Sequence, residues 1–125
     1  MADGNLELVQ SAYEAFGRGD IPGVLGILSD DVQWSVPEFL PQGMKVQGRD
    51  AVVGFFENLG STWENLNVDV EDFVASGDRV CAIGNASGTT GGAQVTYGFV
   101  HAWTVRDGAA ARFDEYVDPP PELLG

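Results

Sequence analysis

The sequence predicts an α+β fold, a curved antiparallel sheet with helices packed against one face, and three observations carry that prediction. Apolar residues recur at helical spacings of three and four through the first half of the chain. From Asn65 onward they recur at a spacing of two. The segments are parted by Gly and Asp turns such as "SGDR" and "RDG" rather than by linkers. Helices first and a run of strands afterwards is the pattern of helices segregated to one side of a sheet.

In residues 5–16, Leu6, Val9, Tyr13 and Phe16 share one helical face, and Gly17 and Gly19 stop the helix. In "GDIPGVLGILSDD", Asp20 is placed to cap a short second helix and Pro22 suits its first turn. Ile21, Val24, Leu25 and Leu28 supply its buried side. "DVQWSVP" alternates Val32, Trp34 and Val36 before Pro37 and reads as a strand. Residues 38–48, rich in Pro and Gly, read as a loop or short irregular arm. Asp50 is expected to cap a third helix running to about Leu59, which buries Val52 or Val53 with Phe55, Phe56 and Leu59. "LNVDVEDFVA", "RVCAIGNASGTT", "AQVTYGFVHAWTV" and "AAARFDEYVD" are four successive strands. The tail "DPPPELLG" cannot continue a central strand, and is expected to pack Leu123 and Leu124 on a neighbour or to fray.

A chain of 125 residues holds one domain with a single core. Its extent is 1–125, with a core of about 5–118 and a tail of 119–125. No run is long and apolar enough for a membrane span, and the start lacks a basic region followed by an apolar stretch, so neither a membrane anchor nor a secretory signal is predicted. One cysteine, Cys81, excludes an internal disulfide and fits a cytoplasmic location. Nineteen acidic against six basic residues give a net charge of -13, which repels phosphate backbones and argues against nucleic acid as a partner. One His and one Cys do not make a zinc site, and no phosphate-cradling glycine loop is present, so neither metal nor cofactor is expected.

The last hairpin carries the chemistry. A two-residue Asp107-Gly108 turn would pair Arg106 with Ala109 and set His101, the sole histidine, opposite Asp114. A one-residue slip turns every side chain to the other face, so burial arbitrates. Tyr97, Phe99, His101, Trp103 and Val105 form the apolar face of one strand, and Ala111, Phe113, Glu115 and Val117 that of the next. Matching them requires an odd-length loop with Gly108 left-handed. His101 then shares a face with Phe113 and Glu115. A carboxylate between Phe113 and Val117 needs a partner, a raised pKa or a wet cavity. By parity the partner is His101 or Arg79, the latter expected on one face with Cys81, Ile83 and Asn85. His101, Glu115, Arg79 and Asn85 would make a polar cluster in a cavity walled by aromatic rings. The competing reading is structural: a hydrogen-bonded core histidine, and a buried Glu115–Arg79 ion pair without chemistry.

The segments "YEAFGRGDIPGVLGILSDDVQWSVP", "VQGRDAVVGFF", "GDRVCAIGNASGTT" and "HAWTVRDGAAARFDEYVD" resemble, in order and spacing, the SnoaL-like branch of the nuclear transport factor 2-like superfamily. The resemblance implies a cone-shaped sheet with three helices of the N-terminal half on its concave face, a homodimer and a small hydrophobic molecule as partner. It also shows what is absent. The position of the ketosteroid isomerase base is Val36, the tyrosine of that site falls at Ala12 with Tyr13 one step off, and its second acid falls at His101. Limonene-type epoxide hydrolases match at Arg79 and Glu115, but their middle acid is Cys81, and Gln33 and Ser35 stand for their tyrosine and asparagine. Polyketide cyclases of the SnoaL type pair a histidine on the penultimate strand with an acid on the last, matching His101 and Glu115. The resemblance therefore implies cofactor-independent proton-transfer chemistry with Glu115 as base and His101 as its partner. Arg79, Asn85, Tyr13, Trp34, Trp63, Phe99, Trp103 and Phe113 are the expected substrate-binding set. A non-catalytic binding protein using the same cavity is the alternative, and a limonene-type epoxide hydrolase with an altered site a further one.

Overall fold

A computed structural model describes residues 2–124; Met1 and Gly125, the ends of the expected domain and of its tail, lie outside the described residues. Six strands form one sheet: β1 (Leu28–Val36), β2 (Met44–Gln47), β3 (Glu64–Ser76), β4 (Arg79–Thr90), β5 (Ala93–Arg106) and β6 (Ala109–Val117), in the order β2-β1-β6-β5-β4-β3. The sheet is curved and does not close. It is antiparallel except where β1 lies parallel to β6, a junction that sets Trp34 beside Phe113. Helices α1 (Ala2–Gly17) and α3 (Arg49–Thr62) pack on its inner face, α2 (Ile21–Leu25) packs between them, and α4 (Pro121–Leu124) is a single turn in the tail. Leu123 of that turn packs against the core while Leu124 stays exposed.

The helices form where the periodicity put them. On α1 the deepest residues are Val9, Ala12 and Ala15, with Leu6, Tyr13 and Phe16 packed around them. Gly19 takes a φ of 76°, which a residue with a Cβ would resist. Asp20 caps α2, its carboxylate accepting from the Gly23 amide at 3.0 Å. Leu28, expected on that helix, instead opens β1. The start of α3 differs from expectation too: Gly48 occupies the cap position without a side-chain bond, and Asp50 lies within the first turn, where its charge favours the helix dipole. Of the two valines there, Val52 is fully buried and Val53 exposed.

Residues 38–48 are not all irregular, since Met44–Gln47 pairs with β1 as an edge strand. Before it the chain doubles back tightly, with the Gly43 amide bonded to the Leu40 carbonyl at 2.9 Å. A Cβ on Gly43 would stand 2.0 Å from the Pro37 carbonyl oxygen, so only glycine allows this reversal. The reversal turns Gln42 into the interior, where it is 2% exposed.

The last hairpin reaches the expected register by an unexpected route. The turn is the two-residue one, with Asp107 and Gly108 both at positive φ (53° and 77°) and Arg106 paired with Ala109. The register then shifts by one between Val105↔Ala110 and Thr104↔Arg112, leaving Ala111 as a bulge. Beyond the bulge Trp103 faces Phe113 and His101 faces Glu115. Burial of the aromatic face sets the parity, and a bulge rather than an odd loop supplies the extra residue.

Candidate active site

The inner faces of β5 and β6, with α1, α3 and the loop before β2, enclose a cavity of about 600 Å³, counting the solvent at its mouth. Its walls are aromatic. Trp34 stacks on Phe113 with ring centroids 4.0 Å apart, and Phe99 stacks on His101 at 3.9 Å. Trp103, Phe55 and Phe56 complete the rings around it. Neither lysine nor arginine lines the cavity. Its polar groups are Tyr13, Gln42, Tyr97, His101 and Glu115.

Glu115 stands directly across the ladder from His101, and its Oε2 lies 3.4 Å from His101 Nε2 with both side chains buried. The other ring nitrogen, Nδ1, is 2.6 Å from the Tyr13 hydroxyl, which also accepts from the Trp103 indole at 2.9 Å. These contacts have a direction. Indole N–H only donates, so the Tyr13 oxygen accepts from Trp103, and its own proton is free to go to Nδ1 when that nitrogen is the unprotonated one. Where Nδ1 accepts, the ring proton stands on Nε2, which lies within ion-pair distance of the Glu115 carboxylate. Burial, and secondarily the charge of Glu115, holds the Tyr13 phenol well above its ordinary range, so it remains a donor.

A second chain begins at Trp63, whose indole donates to Gln42 Oε1 at 2.8 Å. The Gln42 amide nitrogen then lies 3.4 Å from the Tyr97 hydroxyl. Tyr97 is likewise pushed upward, by burial first and by the Glu115 charge second. The third tryptophan, Trp34, begins no chain: its Nε1 has no partner among the described residues.

Glu115, His101, Tyr13, Trp34, Phe99, Trp103 and Phe113 thus all border the cavity, as expected from sequence. Trp63 does not, and holds Gln42 from behind instead. Arg79 and Asn85 require correction. On β4 the buried residues are Val80, Ala82, Gly84 and Ala86, with Ala82 opposite His101, so Arg79, Ile83 and Asn85 are turned outward. Arg79 is exposed at the end of the strand, and Asn85 donates to Glu71 at 2.9 Å on the exposed side. Opposite the large rings of β5 the inner face of β4 carries Ala82, Gly84 and Ala86, with Val80 at its end, while Cys81 and Ile83 fall outside. Gly84 is obligatory there, because a Cβ would stand 2.0 Å from the Asp69 carbonyl at the β3 bulge.

Two polar residues at the cavity were missed. Tyr97 carried a signal, sharing the period-two face of His101. Gln42 carried none, since nothing in a Pro- and Gly-rich segment marks which side chain turns inward. No cluster of His, Cys, Asp and Glu suited to a metal occurs among the described residues.

A helix-backed cone of this topology belongs to the class of nuclear transport factor 2-like folds. Solved structures of that class align over nearly the whole chain. A Burkholderia pseudomallei NTF2-like protein of unknown function is 32% identical, with 92% of this chain and 91% of that one covered and a TM-score of 0.85. TerC, crystallised with polyporic acid, is 30% identical, covering 92% of each chain with a TM-score of 0.83. A Xanthomonas campestris protein named as a candidate polyketide cyclase is 26% identical, covering 92% and 90% with a TM-score of 0.73. The family profile of the SnoaL-like domain matches residues 9–113, and the chain belongs to that family. No curated protein sequence matches it.

Proposed function

We propose that the protein is a cofactor-independent enzyme of the cyclase or isomerase type, acting by proton transfer on a small hydrophobic molecule that bears a carbonyl group. The observation that carries this reading is Glu115 facing His101 at 3.4 Å inside an otherwise aromatic cavity. Glu115 is the general base. It takes a proton from a carbon next to the carbonyl, and the released electron pair moves to the carbonyl oxygen. The resulting enolate either attacks a second carbonyl carbon, whose oxygen then takes the proton, or regains the proton at another carbon. His101, held by Tyr13 and 3.4 Å from the carboxylate, orients it within the cavity. The co-crystal of TerC with polyporic acid supports occupancy of such a cavity by a small molecule.

Proton abstraction is read by deuterium uptake from heavy water into candidate ketones. Glu115→Gln is expected to lower exchange or turnover by about a hundredfold or more, and His101→Ala by a lesser factor. Unchanged rates in both variants would refute the assignment. A ligand bound saturably and recovered without exchange would favour the binding-protein reading. The epoxide hydrolase reading loses support from the outward position of Arg79.

The outer sheet face exposes Val74, Ile83 and Tyr116, and we assign it to a homodimer contact; a monomer in sedimentation at micromolar concentration would contradict that. No helix among the described residues is long and apolar enough to cross a membrane. With a single cysteine, the chain fits a cytoplasmic setting.

A further inference from the structure

We infer that the Tyr97 hydroxyl, aimed by Gln42 and Trp63, is a hydrogen-bond donor reserved for a neutral carbonyl oxygen of the bound molecule. This deepens the proposed function, resting on it only in taking the cavity as the ligand site. The direction of the Trp63 chain follows from chemistry alone. Indole nitrogen cannot accept, so the atom of Gln42 that faces it at 2.8 Å must be the carbonyl oxygen, which fixes the orientation of the whole amide. The NH2 group is therefore the end that faces Tyr97, and the phenol oxygen accepts from it at 3.4 Å. Having accepted, the hydroxyl still carries its own proton. No acceptor for that proton exists among the described residues, although Tyr97 is 5% exposed and lines the cavity.

A buried donor without an acceptor costs free energy that a ligand oxygen recovers. Two features restrict that oxygen to a neutral one. The cavity lining holds no lysine or arginine to neutralise a phosphate or carboxylate, and the Glu115 carboxylate acts on Tyr97 strongly enough to raise the energy of any added negative charge there. The same phenol, kept protonated by burial, can hold negative charge only transiently, as it develops on an enolate oxygen during reaction. Tyr97 thus touches the substrate, whereas Gln42 and Trp63 position it.

Acetophenone, a neutral aromatic ketone, is a suitable probe. Its carbonyl stretch, measured by infrared spectroscopy in the bound state, is expected at lower frequency than in an apolar solvent. Tyr97→Phe should abolish that displacement and weaken binding by about three- to tenfold. Gln42→Met, which removes the aiming group and leaves the phenol, should broaden the band and displace it less. Glu115→Gln should leave the displaced band in place while deuterium exchange is lost. A displaced band retained in Tyr97→Phe, or no saturable binding of acetophenone to the wild-type protein, overturns the inference. A displaced band in a protein that never exchanges deuterium overturns the proton-transfer reading and leaves this one standing.

Discussion

Two chains of hydrogen bonds start from indole N–H groups near opposite ends of the inner face of β5, and they finish differently. From Trp103 the chain passes through Tyr13 to His101, whose other ring nitrogen lies 3.4 Å from Glu115, so it ends on a charged group of the protein itself. From Trp63 it passes through Gln42 to Tyr97 and stops with one proton unspent. The first chain holds His101 beside a charge; the open one keeps a donor for something from outside. One cavity thus separates its internal wiring from its recognition of a ligand, and the separation is read from which polar atoms are already satisfied.

The same chemical change should therefore have unequal effects in the two chains. Tyr13→Phe leaves both the Trp103 N–H and His101 Nδ1 without partners in a buried place. We expect a loss of about 2–4 kcal/mol in denaturant unfolding, together with loss of the single His101 tautomer in its nitrogen NMR spectrum. An unchanged tautomer would break the contrast. Trp63→Phe removes one donor and strands only Gln42 Oε1, and about 1–3 kcal/mol is expected from the same unfolding measurement.

Alkaline pH acts on both chains through their tyrosines. Burial raises the folded-state pKa of Tyr13 and Tyr97, while the unfolded phenols titrate near 10. A raised folded value means that the contribution to stability is complete below about pH 10 and is lost as pH climbs from there toward the folded values. The expected slope is about 1.4 kcal/mol per pH unit for each tyrosine, read as the unfolding free energy across that window. Tyr13→Phe and Tyr97→Phe should each halve it. An equal slope in either variant would contradict the burial of that phenol. The smallest effect is expected for Tyr97→Phe at neutral pH, about 1 kcal/mol, since it strands only the long 3.4 Å bond from the Gln42 amide nitrogen and the hydroxyl proton supports nothing in the protein. A stability loss as large as that of Tyr13→Phe would show that the Trp63 chain is closed after all.

Legibility followed the size of the side chains. On β5 Tyr97, Phe99, His101 and Trp103 share one face, and on β6 Phe113 and Val117 flank Glu115 on one face, so the sequence alone placed Glu115 and His101 on one buried face. It left open only whether Glu115 would meet His101 or Arg79. On β4 both parities carry apolar residues, Val80, Ala82 and Ala86 against Cys81 and Ile83, and periodicity does not choose between them. The inner face takes Val80, Ala82, Gly84 and Ala86, small next to the rings of β5, and that parity sends Arg79 and Asn85 outward.

The helix and strand periods and the anomaly of a carboxylate among aromatic rings are local properties, fixed by alternation along the chain. The bulge at Ala111, the inward turn of Gln42 and the direction of each hydrogen-bonded chain depend on groups far apart in sequence. Trp63 and Gln42 meet across 21 positions, and Tyr13 and Trp103 across 90. Only packing brings such groups within reach, and only then does the rule that indole donates and never accepts decide which proton is spent and which is left for a ligand.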